Sequence, residues 1–535
     1  TIIHGIDVSE YRTASEKAAG LLTAEIRTIE QAKQLENPDA RIVLEQSENT
    51  NLLQLYSDSY WGLGSGDYPR FGRFFWENIL PDKDWIFQLS TVLTTTHYGA
   101  REHILYWQRG RGEIVNSPGA FVRGTQVWGS TGVHVSQMRE LPVTIYSGEC
   151  WDSNSVPIIP KNPEHLPAIW CFCSSLEYNE AVRRIDQKLN VTNATLIKIP
   201  FDLDHWITAA KEKYPNGLPK PYSDDPTQWV FHGHPCGSVV WDQQMKWTAH
   251  GPLRTDESVL QVVVARLLGY RWPPEIDEEM ELSEEARAWA KRCDDLLPYA
   301  DDDGIVCIPP VRGEKSAAER LHALITAAYG DDWSPAILSK LLAEAGCAGK
   351  TLEAWLRDKF FEQHFKLFQH RPFIWHIWDG IKDGFGALVN YHKLTRQNLE
   401  TLTYTYLGDW MKRQEDDIKK GVDGAQTKLM AAQKLRQELE KILEGEAPYD
   451  IFIRWKPIEQ QPIGWEPDLN DGVRLNIRPF MQAGILRKNP NINWNKDRGK
   501  DVESSPWYHL FKGDRINDHH LSLSEKKQTR LKKKG

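Results

Sequence analysis

Residues 141–190, "LPVTIYSGECWDSNSVPIIPKNPEHLPAIWCFCSSLEYNEAVRRIDQKLN", decide the fold class. The first twenty of them interleave Val, Ile, Thr and Tyr with turn residues, which is the composition of short strands between tight connections. From Leu166 the period changes to 3.6: "LPAIWCFCSS" and "LEYNEAVRRIDQKLN" place apolar residues three and four apart, and Ser175 is set to cap the second segment. Strands followed by helices predict an α+β domain over 57–205, closed by a short strand at 195–200. Just upstream, "GAFVRGTQVWGSTGVHVSQM" (119–138) has the same β-rich, turn-rich character.

Working outward, the module begins at the glycines near position 62 and includes β-prone runs at 86–91 and 103–107. Residues 14–46 carry helix formers with Ala18, Leu21, Leu22, Ile26 and Ile29 at helical spacing. Residues 1–56 therefore read as the helical tail of a larger domain. The stretch 206–258 is rich in Pro, Gly, Asp and Trp and reads as a linker or long loop. Helical patterns dominate 259–408, interrupted by one strand at 304–308. Residues 409–445 form a charged helical arm, broken at Gly421 and Gly424, over a seam of Leu429, Met430, Leu435, Leu439, Ile442 and Leu443. A C-terminal region, 446–535, ends in the basic run 526–534.

At 535 residues and 61.6 kDa the chain has room for roughly three or four domains. With 40% hydrophobic and 26% charged residues, it is neither a disordered nor a collagen-like chain. The longest apolar run, 260–268, is interrupted by Arg266, so no membrane helix is expected and the protein reads as soluble. Seven cysteines without a CxxC pair fit a reducing cytoplasm and exclude a disulfide scaffold or zinc ribbon. The chain opens Thr1-Ile2-Ile3 with neither Met nor a basic-then-apolar leader, so the expectation is an unsecreted protein whose start was processed or whose upstream sequence is missing.

Net charge is 65 − 74 = −9, so a nucleic-acid role requires local segregation of basic residues. From 97 to 139 there are five arginines against two acids, and from 472 to 500 seven basic residues against Asp497 alone. The candidate DNA contacts are accordingly Arg70, Arg73, Arg101, Arg109, Arg111 and Arg123, with Gln126 and Trp128 beside them. Arg474, Arg478, Arg487 and Lys488 form the second group. Guanidinium forks and amide side chains reach base edges, and Trp107, Trp128 and Phe121 offer stacking faces. The competing reading of any one cluster is ordinary solvated charge.

Other motifs carry less. "GCAGKTLEAW" (346–355) is not a phosphate loop, because Glu344 stands where its first glycine belongs. The glycines of "YWGLGSGDYPRF" (60–71) lack a strand-then-helix setting and read as a turn permitting close backbone approach. His232, His234 and Cys236 match no metal-ligand spacing, and His376, His519 and His520 have no partners in sequence, so no metal ligand or catalytic residue is assigned.

Four segments carry a resemblance: "SYWGLGSGDYPRFGRFFWE" (59–77), "LRDKFFEQHFKLFQHRPFIWHIWDG" (356–380), "GALVNYHKL" (386–394) and "DLNDGVRLNIRPF" (468–480). They resemble the C-terminal part of adenine-specific DNA methyltransferases from restriction-modification and phage-defence systems, in particular the DISARM and BREX methylases, PglX among them, which are similar to type IIG enzymes. The resemblance implies S-adenosylmethionine as methyl donor and double-stranded DNA as partner, with other defence-system proteins as further partners and no membrane. It also implies an Asn-Pro-Pro-aromatic box around the flipped adenine. The chain's nearest matches, Asn162-Pro163-Glu164 and Asn489-Pro490-Asn491, lack the second proline and the aromatic. The expectation is thus a target-recognition domain over 57–205, a bracing helical remainder, a catalytic domain upstream of Thr1, and no catalytic or cofactor residue in this chain. Two other classes compete: an interaction scaffold of a defence complex that does not touch DNA, and a hydrolase using the histidines at 232–234.

Overall fold

The computed structural model describes residues 1–8, 11–35, 42, 44, 51–79, 83–117, 119–492 and 520–534, the last three of these by backbone alone. The class is α+β, and the chain divides into two compact units. The first comprises Thr1–Gly62, Thr91–His97 and Arg123–Leu218; the second comprises Leu63–Ser90, Tyr98–Val122 and Pro219–Gly535.

In the first unit an antiparallel four-stranded sheet runs in the order Ser57–Ser59, Ser155–Pro160, Gly132–Ser136, Val143–Tyr146. Every residue of Gly132–Ser136 and Val143–Tyr146 is buried; the second, VTIY, reads as an unbroken apolar and β-branched run, while the first, GVHVS, also buries the polar side chains of His134 and Ser136. The helix Leu166–Cys173 packs on the sheet and on the helix Leu203–Lys213. Ser175 caps Leu176–Ile185 as its position predicts, accepting from the Tyr178 amide at 3.3 Å.

Two expectations for this unit are corrected. The strand expected at 195–200 is a 3-10 turn, Asn193–Ile197. Thr192 and Thr195 join their hydroxyls at 2.8 Å, and the Thr195 amide donates to the Thr192 carbonyl at 3.0 Å, so local bonds displace the ladder. The N-terminal helical reading also shortens. The helix Ala14–Thr23, closed by a Thr13/Glu16 capping box, is followed by the strand Arg27–Glu30, which pairs antiparallel with Ile2–Gly5 and buries Ile29. Gln31–Gln34 is again helical, and positions 36–41, 43 and 45–46 of the expected helix lie outside the described residues.

In the second unit, strands Gly72–Phe74 and Trp85–Leu89 flank His103–Tyr106, antiparallel throughout. A further sheet has the order Ile305–Cys307, Gly386–Asn390, Ile374–Trp378. The helix Ser258–Leu267 is buried at all ten positions, so it forms the centre around which the others pack. Residues 206–258, expected as a linker or long loop, contain the end of the helix Leu203–Lys213 and the hairpin Val239–Asp242 with Trp247–His250. Trp229, Phe231, His232 and Cys236 there are core residues. Asp224 and Asp225 make this possible by accepting from the Val239 amide at 2.9 Å and the Thr227 amide at 2.9 Å, so buried backbone donors are satisfied without regular structure. The charged arm is the helical pair Leu407–Lys419 and Ala425–Glu444, with Gly421 and Gly424 at positive φ between them. Its seam is buried except Met430, which is 61% exposed.

Candidate nucleic-acid interface

In the first unit the turn that follows Arg123 rests on Trp151, itself 1% exposed. Gly124 has φ +77°, and a Cβ there would lie 2.3 Å from the Trp151 ring and 2.8 Å from the Trp61 carbonyl oxygen. A Cβ on Gly62 would come within 2.0 Å of the Asp152 carbonyl oxygen. Only glycines let these two turns settle onto the same tryptophan. Above them Trp61 remains 53% exposed, with the Arg123 guanidinium carbon 5.5 Å from its ring centroid. Arg123 and Gln126 face solvent and Trp128 is half-buried. The arrangement supplies an open aromatic face on one turn with a cation beside it, and an exposed amide on the cation's own turn.

The second unit presents another arginine-bearing loop. Gln108, Arg109 and Gly110 are left-handed in succession, at φ +49°, +57° and +75°. Two of the three are not glycine, a conformation that costs on the order of 1 kcal/mol each and clusters at functional loops. The loop is held from beneath: the amides of Trp107 and Gln108 both donate to the Asp84 carbonyl at 2.8 Å. The Gln108 side-chain oxygen accepts from the Glu113 amide at 3.3 Å. Arg109 and Arg111 are exposed, and Arg70 pairs with Glu113. Phe121 is 38% exposed and lies over Gly64, where a Cβ would meet its ring at 2.4 Å.

Four expected DNA contacts point inward. Arg73 donates to the carbonyls of Pro69, Gly72, Asn470 and Asp471 at 2.6–3.0 Å and lies against Gly472. Arg101 is fully buried over the Tyr98 ring and donates to the Gly99 carbonyl at 3.0 Å. Arg474 and Arg478 are also buried. These side chains are enclosed by protein, out of reach of a phosphate approaching from solvent. Arg487 is half-buried, stacked 4.0 Å from the Trp378 ring centroid and bonded to Asp358 at 3.0 Å. Lys488 is exposed. Of the 472–500 cluster, Lys496, Arg498 and Lys500 lie outside the described residues.

Sequence reasoning missed Trp61. Its signal was present in "YWGLGSG", a bulky aromatic directly beside glycines, where it has backbone on one side and solvent on the other.

The histidine run is structural. His232 Nδ1 accepts from the His234 amide at 3.0 Å, His234 Nδ1 accepts from the Gly237 amide at 3.1 Å, and Asp224 takes the Ser238 hydroxyl at 2.6 Å. Burial pulls both imidazoles below the usual histidine range, so they stay neutral. Burial pushes the Cys236 thiol up to about 12, which makes it a poor nucleophile. Among the described residues no group of three His, Cys, Asp or Glu side chains is arranged to hold a metal ion. Nor is any described helix long and apolar enough to cross a membrane.

No protein-family model matches the chain. It is 23% identical over 205 residues to the adenine-specific methyltransferase BrxX of Escherichia coli O9:H4 (strain HS), covering 35% of this chain and 16% of that protein. It is 28% identical over 119 residues to the adenine-specific methyltransferase PglX of Lacticaseibacillus casei (strain Zhang), covering 21% of this chain and 9% of that protein. The matched regions thus span about a sixth and a tenth of the curated relatives. Over these stretches the chain is similar to adenine-specific methyltransferases.

Proposed function

We propose that this chain is the DNA-recognising part of a site-specific N6-adenine DNA methyltransferase of a phage-defence or restriction-modification system. The partial likeness to two adenine-specific methyltransferases carries the reading. The exposed loops with Trp61, Arg123 and Gln126, and with Arg109 and Arg111, support it. Arginine and glutamine side chains on loops fixed by a rigid scaffold read base edges, while the surrounding charge grips phosphates.

Methyl transfer is assigned to residues outside this chain, and S-adenosylmethionine is the cofactor of the enzyme it serves. The residues present here do not fit that donor. The glycines at 62 and 64, where a donor-binding loop would need open space, have that space filled by Asp152 with Trp151 and by Phe121 respectively.

The test is a titration of the purified chain with duplex DNA across salt concentrations. The expected result is binding that falls steeply as salt rises. A folded chain with no duplex affinity at roughly 50 mM salt overturns the proposal. Capture of other defence proteins by that same chain would then favour the scaffold.

A further inference from the structure

The C-terminal helix Leu523–Lys534 is fastened to the second unit by an unusual anchor. Lys526 and Asp450 have fully buried side chains, and the ammonium donates to Asp450 Oδ2 at 3.2 Å and to the Ile451 carbonyl at 3.3 Å. His520 Nδ1 meets the other Asp450 oxygen at 2.5 Å, and its Nε2 lies 3.2 Å from Arg478. Arg530 donates to the Gln461 carbonyl at 2.7 Å. Apolar attachment is slight by comparison: Leu521, preceding the helix, packs with Phe452 and Ile458, while Leu531 is 69% exposed.

A buried ion pair adds little net stability but fixes register, because any slip leaves a charge stranded in the interior. The helix is therefore set in one position by polar contacts. Its sequence holds Lys526, Lys527, Arg530, Lys532, Lys533 and Lys534 against Glu525, or 6 − 1 = +5 in a chain of net charge −9, and with Lys526 paired to Asp450 and Arg530 lying 3.4 Å from Glu466 the charge left for a partner rests on Lys527, Lys532, Lys533 and Lys534. Lys527 is exposed. A rigidly seated helix of that charge on an acidic protein fits a polyanion with closely spaced charges.

We infer that the helix Leu523–Lys534 is a docking surface for the phosphate backbone of duplex nucleic acid, seated in register by the Lys526–Asp450 pair. It takes over the phosphate-gripping role that buried Arg474 and Arg478 cannot perform. The inference rests on the DNA-recognition reading above. Its contribution is independent of base sequence, since lysines meet phosphates as point charges.

The experiment compares the chain with a variant carrying Lys527, Lys532, Lys533 and Lys534 changed to Gln. Duplex affinity is measured between roughly 50 and 200 mM salt, with circular dichroism as the check on folding. Each phosphate that the variant no longer neutralises lowers the slope of log affinity against log salt by about 0.9, so the slope should fall by about 2 to 3.5, equally for every DNA sequence. An unchanged slope in the folded variant overturns the inference and leaves the proposed function standing. Absence of duplex binding by the unmodified chain overturns both. Equal binding to phosphatidylserine vesicles and duplex, with neither displacing the other, overturns it in favour of an acidic membrane surface.

Discussion

The guanidinium of Arg123 lies 5.5 Å from the centroid of the Trp61 ring, and both side chains stand on turns that a single tryptophan, Trp151, supports from within. The pair is exposed, so its contribution to folding is small and its removal should be felt in binding. Trp61→Ala is expected to weaken duplex affinity by about ten-fold, since an aromatic stacking contact is worth about 1–3 kcal/mol. The thermal midpoint should hardly move. Fluorescence anisotropy with a labelled duplex, alongside a melting curve, decides it; an unchanged affinity removes Trp61 from the interface.

Beneath that pair the glycines have the opposite signature. Gly124→Ala adds a methyl group where 2.3 Å separates it from the Trp151 ring, at a backbone angle disfavoured for alanine. The expected cost is about 1–3 kcal/mol of folding stability. A urea titration should show a lower midpoint with an unchanged slope.

Buried and exposed arginines should also separate experimentally. Arg101→Ala empties a fully buried site and strips the Gly99 carbonyl of its donor, so stability should drop by about 2–4 kcal/mol. Arg111→Ala should leave the urea midpoint within about 0.5 kcal/mol of the parent and reduce duplex affinity. Matching behaviour of the two variants would contradict the inside–outside division of these arginines.

A pH dependence follows from two adjacent carboxyls. Burial, then the hydrogen bond and charge of Asp301, push the Asp303 carboxyl up to about 6 from 3.8. Asp301 is lowered, because bonds from Asp303 and Arg320 outweigh burial. Between pH 3.8 and about 6 the folded protein binds this proton more tightly than the unfolded chain. The contribution of Asp303 to stability is therefore present at low pH, lost as pH rises through about 6, and flat beyond. Asp303→Asn keeps an acceptor for the Tyr406 hydroxyl, 3.0 Å away, and should flatten that slope by on the order of 1 kcal/mol after allowance for solvent screening. Denaturant melts at about pH 4.5 and about pH 7.5, either side of the folded value, test it.

For the anchored helix the sharpest measurement is a double-mutant comparison. Asp450→Ala strands the Lys526 ammonium in the interior, at a cost of about 3–5 kcal/mol if the helix stayed seated. The expected outcome is that it lifts off, exposing to trypsin the bond after Lys527, a site that the rescue variant retains. Lys526→Met combined with Asp450→Leu should restore resistance.

Particular residues show how much of this was legible in the sequence. The change of period at Leu166 and the capping position of Ser175 yielded the α+β class, because both depend on neighbours in the chain. The strands Ile374–Trp378 and Gly386–Asn390 were not recovered. Buried on both faces apart from half-buried Trp378, they carry no apolar–polar alternation to distinguish them from a core helix. The exposure of the candidate side chains was half legible. Charge counting found Arg109, Arg111 and Arg123, but it is blind to the direction a side chain takes. Arg73, for instance, is absorbed by carbonyls at Asn470 and Asp471, some four hundred residues further along.

The left-handed bend at Gln108 and Arg109 has an evolutionary consequence. Glycine would relax the backbone at either position, but at Gln108 it would remove the oxygen that accepts from the Glu113 amide and at Arg109 it would remove the guanidinium itself. If the proposed DNA-recognition reading holds, selection for heat resistance and selection for target fidelity pull in opposite directions at this loop.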